Sequence, residues 1–300
     1  MSPHDIDFGA SLPNIVEIVP KQLYAIGGMI PATRPLSFFP ATAKGEIPVC
    51  AYVMKDGDNF LLVDTGIAIH RREIGKAMEK LIAGCTNRQM AMTRREPDNL
   101  INLPWAVKEF DIARVSGGGE VSPLDFFESM DFANADAQLK AQTGALLNWV
   151  APGAVVEVGK FKLDVLRPAL RVLATFYLYE HATETLFGAE SWGFLTETSS
   201  HRGLIARADD RIGVDTILEY LNTKFDWIAG SDTAPLIDEL KTIAARPIER
   251  ICSNYGRVIE GRKLVRDVFD KTIEALEILK NRKHNSILGD FVWPPKAAAS

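Results

Sequence analysis

The feature that most constrains this sequence is a pair of short apolar segments joined by a tight turn. Residues 49–54 and 60–63 have strand length, and Lys55-Asp56-Gly57-Asp58 between them is typical of a β-hairpin turn. The return segment ends in Asp64-Thr65-Gly66. A doubly wound parallel sheet would need a helical crossover with a Gly-rich phosphate turn after its first strand. The hairpin therefore counts against that fold.

Strand and helix patterns recur in the same order in both halves of the chain. Strand-like segments cover residues 15–19, 23–26, 49–54, 60–63, 90–92, 112–115, 155–158, 160–166, 171–179, 185–187 and 248–252. Helical spacing of apolar residues covers 69–83, 100–110, 213–228, 234–245 and 261–282. This order predicts an α/β (α+β) fold, a four-layer αββα sandwich with two sheets face to face and helices outside. We expect a single domain over 1–300 with its core at about 15–260, followed by a C-terminal helix and tail over 261–300.

Composition excludes several broad classes of protein. The 300 residues contain 34 Lys and Arg against 39 Asp and Glu, a net charge of −5, which argues against nucleic-acid binding through bulk charge. No apolar run approaches the ~20 residues of a membrane-spanning helix, and the N-terminus lacks the pattern of a secretory signal. The three cysteines form no CxxC pair, which favours a reducing, cytoplasmic setting.

Four polar segments each follow a predicted strand, so their side chains can converge at strand ends. They are Asp64-Thr65-Gly66, the six residues 94–99 (Arg-Arg-Glu-Pro-Asp-Asn), Glu190-Ser191-Trp192-Gly193 and Ser253-Asn254-Tyr255-Gly256. Taken singly, an acidic residue at a strand end is more often a turn or helix cap. The order of all four is the informative signal.

Together these segments resemble the oxygen-binding di-iron domain of flavodiiron proteins, a branch of the metallo-β-lactamase fold, from about residue 15 to about 260. That family has Asp-x-Gly after a strand, a His-x-Glu-x-Asp-His segment, a His inside a strand, an LFSxDxFG-like segment and a last strand ending near His-Gly. Here LLVDTG, the Glu-Pro-Asp core of residues 94–99, LFGAESWG and ICSNYG stand at the corresponding places.

The resemblance implies a four-layer metallo-β-lactamase-like sandwich and a di-iron centre that reduces dioxygen or nitric oxide. It also implies a head-to-tail homodimer and an FMN-binding flavodoxin domain after the di-iron domain. The tail FVWPPKAAAS cannot bind FMN, so we expect no flavodoxin domain in this chain.

The departures from the family pattern fall on the metal ligands. The aligned histidine positions are occupied by Arg94, Asn99, Arg171 and Tyr255, of which Arg171 comes from counting back along a predicted strand. Three acidic positions survive as Glu96, Asp98 and Glu190. None of the five histidines, which are His4, His70, His181, His201 and His284, falls on a ligand position.

This exchange has a simple physical interpretation. Without metal ions, the carboxylates of Glu96, Asp98 and Glu190 would repel one another in a partly buried pocket, so each needs a cation or a raised pKa. Arginine stays charged and its planar fork matches a carboxylate. We therefore expect Arg94 and Arg171 to stand in for the metal pair, with no cofactor.

Two other interpretations of the same residues stay open. A single metal ion, iron or manganese, could bind through the three carboxylates, since oxygen-only sites suit hard ions. Alternatively, the arginines and carboxylates could form a salt-bridge network that only stabilises the fold.

Three functions follow from these interpretations. The first is binding of a small, anionic ligand or a partner in the Arg/Glu/Asp pocket, with Arg94, Arg95, Arg171 and Tyr255 as functional residues and no nucleic acid or membrane involved. The second is a metal-dependent oxidoreductase or hydrolase with an altered, carboxylate-rich site. The third is a structural subunit that docks through the helix over 261–282 or through Phe291-Val292-Trp293.

Overall fold

A computed structural model describes residues 15–32, 39–117, 143–198 and 203–282, together with residues 137 and 140. The tail at 291–300, which contains Phe291-Val292-Trp293, lies outside the described residues. Within the described part of the chain, no helix combines the length and the apolar character needed to cross a membrane.

The first sheet has seven strands that lie side by side in chain order. The strands are β1 (Val16–Val19), β2 (Leu23–Pro31), β3 (Glu46–Asp56), β4 (Asn59–Val63), β5 (Asn87–Ala91), β6 (Arg114–Gly117) and β7 (Leu146–Trp149). Strands β1 to β4 are antiparallel, whereas β4 to β7 are parallel. Parallel neighbours need crossover connections, and helices α1 (Arg71–Leu81), α2 (Pro97–Leu100) and α3 (Leu103–Glu109) lie in two of them.

The second sheet also has seven strands, in the spatial order β12-β14-β13-β11-β10-β9-β8. They are β8 (Val155–Val158), β9 (Phe161–Leu166), β10 (Tyr177–Glu180), β11 (Thr185–Phe187), β12 (Ile205–Ala206), β13 (Arg250–Cys252) and β14 (Val258–Glu260). Helices α4 (Val214–Lys224), α5 (Ala234–Ala244) and α6 (Arg262–Lys280) complete this half.

Strand β9 and helix α6 each bury one apolar face, whereas central strands such as β10 and β11 are buried on both faces. In β9, Phe161, Leu163 and Val165 are buried, while the residues between them are more exposed. Helix α6 buries Leu264, Val268 and other residues at helical spacing in the cluster that packs α4 to α6 onto the second sheet. The predicted αββα sandwich is confirmed.

Some predicted element bounds were wrong. Strand β2 was expected to end before Gly27-Gly28 but continues to Pro31. Gly27, at φ 148°, pairs with Cys50 inside the strand, and a Cβ there would collide with the Val49 carbonyl. The glycine therefore allows the strand to continue where it was expected to end it. The strand expected over 171–179 begins only at Tyr177. Strands β7, β12 and β14 were not predicted.

Candidate functional site

The polar segments meet at one edge of the two sheets. Strands β4 and β5 are parallel neighbours, as are β11 and β13, so the residues that follow each pair leave the sheet at the same edge. An isolated bridge between Val49 and Tyr255 joins the two halves there, and another pairs Arg94 with Thr175. The structure thus brings Arg94, Glu190 and Tyr255 together from distant parts of the chain.

The centre of the site is the guanidinium of Arg94, which is fully buried. Its Nε donates to Asn99 Oδ1 at 2.7 Å, and Nη1 donates to the carboxylate of Glu190. Its Nη2 donates to Asp98 and lies 3.1 Å from Glu96 Oε2. The three carboxylates that align with acidic positions of the family pattern therefore surround an arginine.

Tyr255 packs against one side of the Arg94 guanidinium. Its hydroxyl donates to the carboxylate of Asp98 and lies 3.3 Å from Arg94 Nη2, which donates to it. The Arg94 Cζ is 5.3 Å from the centroid of the Tyr255 ring, a cation–π contact. Burial raises the pKa of Tyr255 far above its usual value, with the nearby carboxylate of Asp98 adding to the shift. The phenol is therefore a neutral hydrogen-bond donor here.

A second cation at the site, Lys224, was missed by the sequence analysis. It is the last residue of α4, and its side chain is 7% exposed. Its Nζ lies 2.7 Å from Glu190 Oε2 and 3.8 Å from Glu96 Oε2. The only sequence signal is a lysine at a helix C-terminus, which is too common to indicate a site.

Arg171 lies in the loop between β9 and β10, not in a strand as expected. Its carbonyl accepts a hydrogen bond from Trp227 Nε1 at 3.1 Å, and its side chain lines surface cavities. The charge contacts described for Glu96, Asp98 and Glu190 come from Arg94 and Lys224. The second cation in contact with these carboxylates is thus the ammonium group of Lys224, where the guanidinium of Arg171 was expected.

The side chain of Arg95 is exposed, and its backbone N–H donates to Ala174 O at 2.9 Å.

We name the five charged residues Arg94, Glu96, Asp98, Glu190 and Lys224 the charged centre. Its three carboxylates face two cations, so one negative charge is in excess. Burial alone would lower the pKa of Arg94, but the surrounding carboxylates raise it, so the guanidinium stays charged. Burial, together with repulsion from Glu190 and Asp98, raises the pKa of Glu96 despite the two cations. The excess negative charge therefore shows most clearly in the raised pKa of Glu96.

Asp64 has a different role from these carboxylates. It is buried and accepts hydrogen bonds from Thr93 N at 2.8 Å, Thr93 Oγ1 at 2.6 Å and Asn254 Nδ2 at 2.8 Å. These bonds tie together the residues that follow β4, β5 and β13. Burial raises the pKa of Asp64, and the hydrogen bonds oppose the shift. Asp64 thus holds the strand ends in place next to the charged centre.

The residues of the charged centre do not fit a metal ion. The Arg94 guanidinium and the Lys224 ammonium already lie against the carboxylate oxygens that a metal would need, and both would repel a cation. Across the described residues, no group of three or more His, Cys, Asp or Glu side chains is placed so that it could hold a metal ion. The alternative of a single metal ion at Glu96, Asp98 and Glu190 therefore gains no support.

Solved structures with a similar fold include flavodiiron proteins. Rubredoxin oxygen:oxidoreductase from Desulfovibrio gigas matches with a TM-score of 0.65 at 16% identity, over 88% of this chain and 61% of its own. A metal-soaked flavodiiron core from a Synechocystis species matches at 0.65 and 12%, over 88% of this chain and 62% of its own. A fragment of a putative diflavin flavoprotein from a Nostoc species matches at 0.65 and 11%, over 90% of this chain and 98% of its own.

These similarities establish the fold: the chain has the metallo-β-lactamase-like fold of the flavodiiron core. The chain spans about three-fifths of the length of the Desulfovibrio and Synechocystis proteins. No protein-family model matches the sequence, and the search of curated proteins found no match.

Proposed function

We propose that this chain uses the flavodiiron-like fold as a metal-independent domain that binds a small anionic ligand. In this proposal, Arg94 and Lys224 supply the positive charge that metal ions supply in a di-iron centre. The observation that carries the metal-independent part of the proposal is the buried Arg94 guanidinium, which contacts Glu96, Asp98 and Glu190 at once.

The charges of the centre support a structural role for it. A buried carboxylate costs several kcal/mol unless a cation and hydrogen bonds compensate it. Arg94 compensates three carboxylates through its fork, and Lys224 adds a second contact to Glu190. Neither a guanidinium nor an ammonium group can change its oxidation state, so these two cations cannot pass electrons to dioxygen or nitric oxide.

The charged centre itself is a poor site for an anion. It carries an excess negative charge, and the side chains of Arg94 and Glu190 are fully buried. An anionic ligand would therefore need arginines outside the centre, such as Arg167 and Arg171 on the neighbouring loop.

Thermal unfolding with and without metal ions tests the metal-independent part of the proposal. A metal that binds only the native state raises the melting temperature, and the rise grows with the ratio of the metal concentration to its Kd. We expect the same Tm in chelator, in ferrous iron under anaerobic conditions, and in manganese or zinc. Glu190→Gln is the matched variant, because it removes a central carboxylate while keeping the shape of the side chain. A metal-dependent rise in Tm that Glu190→Gln abolishes would contradict the proposal.

A further inference from the structure

A surface cavity of about 460 Å³ lies between the loop that precedes α4 and the N-terminal half of α6. Its volume lies within the ~300–1,000 Å³ range of small-molecule sites. Helix α4 follows directly on the lining residue Gly213 and ends at Lys224 in the charged centre, roughly 16 Å away at about 1.5 Å per residue. We infer that this cavity binds a sugar phosphate, an inference that rests on the proposed function for the anionic character of the ligand.

Two cations in the lining are available to a ligand. Arg211 lies on the loop and Lys263 on α6, and both are exposed. Among the residues that the structure describes, neither has a partner for its charged group. A phosphate monoester carries a charge of about −1.5 to −2 at neutral pH, which matches two cations, and guanidinium and ammonium groups both bind phosphate oxygens. This pair therefore favours a phosphate group over a single carboxylate.

The other charged residues of the lining do not cancel this positive charge, because they form ion pairs of their own. Lys271 Nζ lies 2.7 Å from Asp267 Oδ2. Arg257 Nη1 donates to Asp210 Oδ1 at 2.7 Å. The charges balance within each of these pairs, which leaves the two unpaired cations in excess.

The loop that carries Arg211 is held on both sides of this residue. Before it, the Asp210 carboxylate accepts from Arg257, whose side chain is 3% exposed. After it, Ile212 O accepts from Lys271 Nζ at 2.7 Å. The backbone of Arg211 is thus fixed before a ligand arrives, which lowers the entropic cost of binding.

The rest of the lining suits a polar ligand body. Its two large apolar residues, Ile212 and Leu264, are only 3% and 6% exposed, so they offer little surface to an apolar group. The side chains of Asp210 and Asp267 are 14% and 44% exposed. A carboxylate oxygen can accept more than one hydrogen bond, so both can accept from ligand hydroxyls in addition to their cations. A phosphate joined to a sugar combines the two kinds of group that this lining can bind.

Isothermal titration calorimetry with glucose 6-phosphate tests the inference. Glucose is the control without the phosphate, and inorganic phosphate is the control without the sugar. We expect glucose 6-phosphate to bind at least about tenfold more tightly than either control, because a hydrogen bond to a charged group is worth about that much.

Variants at the two unpaired cations make the test specific. Arg211→Gln and Lys263→Gln should each weaken the binding of glucose 6-phosphate by about tenfold. Lys76→Gln is the matched control: it removes the same charge from an exposed position on α1, outside the cavity lining, and should leave binding unchanged. Thermal unfolding of each variant checks that it is folded; if one of the two cavity variants does not fold, the other carries the test.

The outcomes separate this inference from the proposed function. No binding of glucose 6-phosphate at millimolar concentration, an affinity no greater than that of either control, or binding that neither cavity variant weakens would overturn the inference. A Tm that does not respond to metal would leave the metal-independent centre standing in each case. A metal-dependent rise in Tm that Glu190→Gln abolishes would instead overturn the proposed function.

Discussion

Arg94 is the residue on which the charged centre depends. It is among the largest fully buried side chains of the described residues, and each of its three nitrogens has an acceptor: Asn99 for Nε, Glu190 for Nη1 and Asp98 for Nη2. A lysine, with a single nitrogen at its tip, cannot reproduce this fork. The stability of the site should therefore depend on arginine itself.

Replacing Arg94 by alanine should lower the free energy of unfolding by about 3–5 kcal/mol, because it leaves buried carboxylates without their main cation. Urea unfolding at neutral pH measures the change. Arg94→Lys should recover only part of the loss. The control is Arg207→Ala, which removes an exposed arginine 3.0 Å from Glu260 and should cost no more than about 1 kcal/mol. A cost for Arg94→Ala as small as that of the control would show that Arg94 does not hold the centre together.

Glu96 should give the site a measurable pH dependence. Its pKa is raised in the folded protein, so the folded state binds a proton more tightly than the unfolded state does. The contribution of Glu96 to stability is therefore most favourable below its unfolded pKa, and it is lost as the pH rises through the folded pKa. Glu96→Gln should accordingly be more stable than the wild type at neutral pH, and this advantage should shrink as the medium becomes acidic.

Urea unfolding of the wild type and Glu96→Gln across the acidic range measures this difference. Glu157→Gln, at a side chain 61% exposed, controls for the loss of a surface carboxylate. A difference between Glu96→Gln and the wild type that grows on acidification has the wrong sign for a raised pKa and would refute the account of Glu96.

At the scale of elements, the site depends on the short turns that follow β4, β11 and β13. Asp64 and Ala189, which lie in two of these turns, have left-handed backbones, with φ of 60° and 48°. Gly256, in the third, has φ 76°, and a Cβ there would lie 2.5 Å from Gly193 O. These turns pack backbone against backbone, so the positions of Glu190 and Tyr255 depend on each other.

Gly256→Ala should destabilise the protein by clearly more than the ~1–2 kcal/mol cost of a left-handed alanine, because its methyl group collides with Gly193 O. Gly57→Ala is the matched control, since Gly57 is also left-handed, at φ 58°, but a Cβ there meets nothing within 4 Å. Thermal or urea unfolding of both variants gives the comparison. Equal losses for the two variants would mean that the close approach at Gly256 does not exist in solution.

At the scale of the whole molecule, the fold could be predicted because its signals are local and ordered. The hairpin over 49–63 and the repeated sequence of strands and helices point to two sheets with outer helices. The convergence of Arg94, Glu190 and Tyr255 follows from the same pattern, because each lies just beyond a strand of the predicted sheets.

The composition of the site could be predicted only in part. Lys224 comes from the end of a helix, and its approach to Glu190 depends on how α4 packs on the second sheet, which no local pattern encodes. Arg171 was misplaced because the residues before Tyr177 look strand-like, yet bonds such as Arg95 N to Ala174 O hold them in a loop. Both errors concern contacts between residues far apart in sequence.

The metal content of the purified protein tests the central claim most directly. The protein would be produced in iron-supplemented cells and purified without chelator, and iron, zinc and manganese would be measured together. Because Arg94 and Lys224 already lie against the carboxylate oxygens that a metal ion would need, we predict far less than one metal ion per chain for the wild type. About two irons per chain, the content of a two-metal site, would contradict the replacement of metal by these two side chains.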